Sequence, residues 1–275
     1  MAIVTISHQM GAGGPEIGMK LGQRLGYHYI DQEILSDAVR RYGLAEAKLS
    51  HLDEAKPSLF ERFDTETRHY ITVLQTTLLE FAEADNVIIM GRSGQWLLRG
   101  IPHVLRLRII APFEQRIRRW IRLTAEQTGE TPNQRAVAEL VRRDDAAKAG
   151  RTRYLHEIDI ADPGLYDLVV NTATLKPEMV VEMIEQIVRR PEMATTDGGR
   201  RVVASRALAS RVQVALATDS DTRRHRIVVD AEDGVVNLEG TAALDHAVEV
   251  ARAVPGVRQV KTRQIDIPPI PPFVA

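Results

Sequence analysis

Apolar positions along this chain come in two rhythms. Runs of Val, Ile and Leu with little polar alternation occupy residues 2–6, 28–30, 87–90, 104–110 and 168–170, the pattern of strands covered on both faces. Between them, apolar residues recur at helical spacing after Pro15 and over residues 32–42, 58–84, 112–126, 132–149 and 177–190. Pro15, Pro112, Pro132 and Pro177 stand where a helix begins, the position at which a missing N–H has no intrahelical partner to lose. Strand and helix in alternation predict an α/β unit over residues 1–190 with a five-stranded parallel sheet.

The rhythm stops at residues 191–201, where Pro, Gly, Thr and charged residues without periodicity predict a linker. A second, smaller α+β unit is expected over 202–267. It contains a helix at 202–217, strands at 226–231 and 235–239 joined by the turn Asp233-Gly234, a helix at 241–254, and a last strand at 257–267. The tail at 268–275 is proline-rich and suits an extended conformation.

Composition narrows the classes. With 275 residues the chain has room for two cores, and its 44% apolar, 27% charged and 5% aromatic residues are those of a globular protein. A net charge of −1 provides no global attraction to nucleic acid or membrane, so no nucleic-acid partner is expected. The absence of cysteine excludes disulfides, thiolate metal sites and thiol catalysis. The N-terminus enters a strand without the pattern of an export signal, so a cytoplasmic location is expected. Charge is concentrated locally, however: residues 106–153 hold eleven arginines and Lys148 against six carboxylates. A run of this kind is either a set of solvated helix faces or a site for anions.

The candidate chemistry begins at the first strand. Gly11, Ala12, Gly13 and Gly14 form a glycine-rich loop between a strand and a helix, as in loops whose backbone N–H groups cradle phosphate; the bland alternative is a tight turn with close helix packing. The Lys-Ser/Thr ending of a Walker A loop is missing, and Gly14-Pro15 stands in its place. His8 is placed in this loop, and the other histidines show no metal-ligand spacing, so no protein metal site is expected. Arg92 follows the strand 87–90 in a second glycine turn, at the sheet end where ligands bind in α/β folds. Asp31 also follows a strand end and either orients a nucleotide or caps the next helix. Arg116, Arg119 and Arg122 recur every third residue on one helix, and Arg142, Arg143, Lys148, Arg151 and Arg153 form a second basic edge. Asp144-Asp145 either serve the site or pair with these arginines, and pairing is the favoured reading. Trp96 and Trp120 fall in helical patterns and are expected in the core.

Taken together, Thr5-Ile6-Ser7, Gly11-Ala12-Gly13-Gly14, Glu16-Ile17-Gly18, Tyr29-Ile30-Asp31, Ile89-Met90-Gly91-Arg92, Leu107 to Pro112 with Arg116, and Tyr166 to Thr172 resemble the cytidylate kinase-like family. The resemblance implies a P-loop nucleoside monophosphate kinase fold and transfer of the γ-phosphoryl of ATP to CMP or dCMP. Gly11–Gly14 would then hold ATP phosphates, with Mg²⁺ brought by the ATP. Arg92 would help hold the acceptor, and Arg116, Arg119, Arg151 or Arg153 would close over the transferring group. The departure at Gly14-Pro15 keeps open a second reading, a nucleotide sensor without turnover. Val235 to Gly240 and Val254 to Val260 resemble a BON domain, which implies an interaction module with a protein or phospholipid ligand that localises or regulates the first unit.

Overall fold

The computed structural model describes residues 2–31, 33–42 and 65–265. Five parallel strands form the first sheet: β1 (Ile3–His8), β2 (His28–Ile30), β3 (Val87–Met90), β4 (Val104–Ile110) and β5 (Leu168–Asn171), in the order β2-β3-β1-β4-β5. β1 is the central strand, paired with β3 over Ile3–Ile6 and with β4 over Ile3–His8, and its carboxyl end opens between those of β3 and β4. The helices are α1 (Gly14–Leu25), α2 (Glu33–Tyr42), α3 (Thr65–Glu83), the short α4 (Gly94–Leu97), α5 (Phe113–Thr128), α6 (Gln134–His156) and α7 (Pro177–Val188). α1 and α7 cover one face, burying Ile17, Leu21, Val181 and Ile184 against Val4, Ile6, Leu107 and Ile109. On the other face, Leu78 and Leu79 of α3 pack with Ile3 and Ile89.

The second unit contains α8 (Asp197–Thr218), the strands β6 (Ile227–Glu232), β7 (Val235–Gly240) and β8 (Gln259–Gln264), and α9 (Leu244–Arg252). β6 and β7 form an antiparallel hairpin through Asp233 and Gly234, both at positive φ, and β8 adds parallel to β7.

Several expectations need adjustment. β1 runs to His8, which is therefore strand rather than loop. α6 does not stop at residue 149 but continues to His156, because the Thr152 hydroxyl donates to the Lys148 carbonyl and the last turn caps through Glu157 N–H on Arg153 O. The stretch 191–201 is not an open linker: a 3-10 turn spans Pro191–Met193, and α8 begins at Asp197, with the Thr196 hydroxyl accepting the Gly199 N–H at 3.1 Å. The expected start of a helix at 58, His51, the end of the last strand at 266–267 and the proline-rich tail at 268–275 lie outside the described residues.

Why α8 starts early is visible in its packing. Gly199 lies against the His103 ring, where a Cβ would overlap the ring nitrogen, and Val203 and Ala207 enter the core of the first unit beside Leu78 and Ile101. From the next residue on, Leu208, Val212 and Leu216 belong to the core of the second unit with Val236 and Leu238. Arg206 donates to the Leu97 carbonyl at 3.0 Å, Arg211 pairs with Glu83 at 2.6 Å, and the Ser210 and Thr76 hydroxyls bond to each other. One helix thus serves two cores.

This shared helix predicts coupled unfolding. Both tryptophans, Trp96 and Trp120, lie in the first unit, whereas Leu238 is fully buried in the second. A Leu238→Ala change should cost about 2–5 kcal/mol, the usual range for emptying a buried leucine site. It should also move the urea midpoint read by tryptophan fluorescence; an unmoved midpoint would show that the two cores unfold independently.

Candidate active site

The loop after β1 is shaped by the helix beside it. Gly11 has φ 76°, and a Cβ there would lie 2.5 Å from the Arg116 carbonyl oxygen of α5, so backbone meets backbone and only glycine fits. Ala12 N–H turns back onto the Gln9 carbonyl, while the Ala12 carbonyl accepts the Thr172 hydroxyl at 2.8 Å. Gly13 is left-handed at φ 90° and caps α1, whose first residues are Gly14 and Pro15. The helix therefore presents its amino end at the carboxyl edge of the sheet, where peptide dipoles favour an anion. Pro15 offers neither an N–H nor a hydroxyl at that end.

Cations from α5 and α6 gather on this loop. Arg119 donates to the Gly11 carbonyl at 3.2 Å and to the Thr172 hydroxyl at 3.1 Å, and its guanidinium lies 3.2 Å from where a Gly13 Cβ would stand. Arg116 is only 4% exposed; it donates to Met10 O at 3.4 Å and holds Asp145 with two bonds of 3.0 and 2.8 Å, fastening α6 to α5. Lys148 donates to the His8 carbonyl at 3.3 Å and pairs with Asp144 at 3.0 Å. Both aspartates thus pair with cations. Arg122 pairs outward with Glu126. Arg153 is exposed on the last turns of α6, away from these contacts.

A second group forms beside the loop. Gly91 N–H bonds to the Ile6 carbonyl, which sets the turn after β3 next to β1, and Arg92 and Ser93 follow at positive φ of 51° and 58°. Two consecutive non-glycine residues in this region cost roughly 1–3 kcal/mol each, a strain concentrated at functional turns. Arg92 Nε donates to the Asp31 carbonyl at 3.2 Å and its guanidinium lies 3.9 Å from the Asp31 carboxylate, which also accepts the Tyr29 hydroxyl. Arg92 and Arg151 line one narrow cleft with Leu74, Gln75 and Leu155. Through Gln75 and Leu155 this cleft adjoins a cavity of about 880 Å³ between α3, the end of α6, and the second unit, where Arg223 and Arg226 stand.

Of the residues singled out in the sequence, Gly11, Ala12, Gly13, Gly14, Arg116 and Arg119 are brought together, and Arg92, Asp31 and Arg151 form the neighbouring group. Lys148 and Thr172 are the contacts that sequence reasoning did not assign to the loop. Only spacing on a helix and membership in a motif marked them. Trp120 packs with Ile117 and Val137 between α5 and α6, and Trp96 lies under the Arg99 guanidinium at 3.8 Å. Among the described residues, the cluster with metal-ligand spacing is Asp219, Asp221 and His246 in the second unit, outside this site. Among the described residues, no helix is long and apolar enough to cross a membrane.

Comparison with known proteins fits this geometry. The model of the cytidylate kinase-like family matches residues 3–174, and the BON domain model matches residues 205–269. A cytidylate kinase of Ignicoccus hospitalis is 28% identical over 188 residues, covering 68% of this chain and 99% of that protein. One from Sulfolobus acidocaldarius is 25% identical over 191 residues, covering 69% and 96%. Among solved structures, an uncharacterized protein from Eubacterium ventriosum superposes with a TM-score of 0.52 at 14% identity, over 69% of this chain and all of that one, a likeness of fold.

The electrostatics of the site predict its acid response. Burial, with Lys148 and Arg108 alongside, pushes the His8 imidazole down to about 3, and burial near Arg99 pushes His156 down to about 4. Both lie below the unfolded value of about 6.5, so the unfolded chain takes up protons first as pH falls. Their stabilisation is complete above about pH 6.5 and is lost as pH drops towards 4 and 3, by up to about 1.4 kcal/mol per pH unit for each group. Between pH 7.5 and 5, His8→Asn should therefore lose less stability than the unsubstituted protein, by up to about 2 kcal/mol in urea unfolding. Equal losses would mean that His8 is solvated.

Proposed function

The chain belongs to the cytidylate kinase-like family, and we propose that it is a nucleotide kinase that moves the γ-phosphoryl group of ATP onto a pyrimidine nucleoside monophosphate of the CMP or dCMP type. The observation that carries this reading is the placement of two basic groups at one end of the sheet. Arg119 stands on the glycine loop and Lys148 at the end of β1 where that loop departs, and Arg92 and Arg151 stand in the adjoining cleft.

The loop and the α1 terminus would hold the ATP phosphates, with Mg²⁺ arriving on the nucleotide. Their fit to an anion rests on the left-handed Gly13 under the Arg119 guanidinium. ATP supplies the electrophilic phosphorus; an acceptor phosphate oxygen bonds to it as the bond to the ADP oxygen breaks. Arg92, held by Asp31, orients the acceptor phosphate. Arg151 faces the same cleft from α6 and is placed to neutralise charge on the transferring group, the main task of protein groups in phosphoryl transfer. Arg116 acts through α6, as a positioning residue. For Arg153 the reading assigns only a rim position.

The second reading, a sensor that binds nucleotide without turnover, is favoured by Gly14-Pro15, where the loop lacks both the lysine and the Mg²⁺-binding hydroxyl of a Walker A ending. In either case the BON unit contributes a contact surface. The outward face of its sheet carries Asp230, Glu232 and Glu239 beside Lys261 and Arg263, and this mixed charge suits a protein partner better than an anionic phospholipid surface.

ADP release measured with ATP and each nucleoside monophosphate tests the reading: turnover that requires CMP or dCMP is expected, and ATP binding with no turnover for any acceptor would assign the sensor instead. Gly13→Glu should abolish ATP binding in folded protein, since its carboxylate would reach the Arg119 guanidinium and occupy the anion position. Arg92→Ala should raise the KM for the acceptor with little change for ATP. Arg151→Ala should lower kcat, by up to about 10³-fold if the guanidinium touches the transferring group. Full activity in both arginine variants would remove the cleft from the mechanism.

A further inference from the structure

The phosphate loop of this chain lacks its own lysine, and the structure shows why none fits. A Cβ on Gly14 would overlap the Cβ of His8 and lie 2.5 Å from its Cγ. His8 closes β1 and its ring lies on the first turn of α1, so the space that a side chain at position 14 would cross is filled. The two positions are coupled: a side chain at one requires its absence at the other. The imidazole does not replace the missing charge, because burial and the neighbouring cations Lys148 and Arg108 keep it neutral, and its Nδ1 is buried without a protein hydrogen-bond partner.

We propose that Lys148, reaching over from α6, supplies the ammonium that binds the terminal phosphates of the nucleotide. Its Nζ donates to the carbonyl of His8, the residue from which the loop departs, at 3.3 Å. One turn back on α6, Asp144 holds the same nitrogen at 3.0 Å. The bond to His8 uses one of the three N–H donors of the ammonium, Asp144 meets it only as an ion pair, and the side chain keeps 27% of its surface exposed, so donors remain for an incoming phosphate oxygen. Arg119 is engaged differently: its guanidinium, beside Gly13, bonds to the Gly11 carbonyl and to Thr172.

A consequence follows from the origin of the lysine. In a loop that carries its own lysine, charge and cradle belong to one helix. Here the charge belongs to α6, whose seating on α5 depends on the buried Arg116–Asp145 pair. Phosphate affinity is thereby tied to the docking of α6, the helix that also brings Arg151 to the acceptor cleft. Nucleotide binding and placement of Arg151 become one event.

The inference rests on the ATP-binding reading given above, and binding measurements separate the two. Calorimetric titration of the full chain with ATP, tripolyphosphate and adenosine, in Mg²⁺, should show ATP binding to the unsubstituted protein. Lys148→Ala should weaken ATP and tripolyphosphate by about tenfold or more, the loss of one charge-assisted contact, and leave adenosine within about twofold. Lys148→Arg should recover part of the loss. Asp145→Asn should weaken ATP in the same sense by loosening α6. Transplanting the charge with His8→Gly and Gly14→Lys in the Lys148→Ala background should restore ATP affinity if that triple variant folds, as judged by circular dichroism. An ATP affinity of folded Lys148→Ala within about twofold of the unsubstituted value would overturn the role of Lys148 while leaving the ATP-binding reading intact. Absence of ATP binding by the unsubstituted chain would overturn both.

Discussion

Everything at this site depends on the contact between the end of β1 and the start of α1. His8 ends β1 in register with Ile109 of β4, and its Cβ stands where a side chain on Gly14 would have to be. That single exclusion decides which residues carry positive charge near the loop. With no side chain at position 14, the cations that contact this end of the sheet come from α5 and α6. A second exclusion, the Gly11 backbone against the Arg116 carbonyl, fixes where α5 lies and hence which arginines face the loop.

The strongly basic stretch thereby divides into parts with different work. Much of it is internal neutralisation: Arg106 with Asp167, Arg116 with Asp145, Lys148 with Asp144. Of these, Arg116 with Asp145 is a pair from which the guanidinium is nearly excluded from water, so loss of one partner would strand a charge. Arg122 and Glu126 are exposed and contribute little beyond solubility. Arg119 contacts the loop, and Arg151 lines a cleft together with Arg92, which lies outside this stretch and is paired with Asp31. Charge density alone would have counted all of these alike.

The second unit is attached by shared packing rather than by a tether. Val203 and Ala207 in one core and Leu208, Val212 and Leu216 in the other lie on the same continuous helix, so the BON unit is packed through one element against α3 and the wall of the cavity beside the Arg92 cleft. A partner bound to that unit would thus act on the kinase-like unit through a rigid element.

Much of this protein was legible from its sequence. Uninterrupted Val and Ile runs marked five parallel strands, because a strand buried on both faces tolerates little else; of the four prolines read as first helical residues, only Pro177 holds that position, Pro15 being the second residue of α1, Pro112 the cap of α5, and Pro132 the residue before the Asn133 cap of α6. The glycine loop, Arg92 and the second unit were found from local chemistry. What the sequence left open is non-local. Residues 191–201 have a linker's composition, yet 197–201 are helical because Gly199 fits against His103, nearly a hundred positions away, and Val203 finds a core. Gly14 looked like a lost lysine, and only the position of the His8 ring shows that a lysine there has no room. Lys148 was one cation among many until α6 folded it onto the His8 carbonyl. Periodicity and turn chemistry act over a few residues and survive in one dimension, whereas steric exclusion and the choice of ion-pair partner exist only once distant segments are packed.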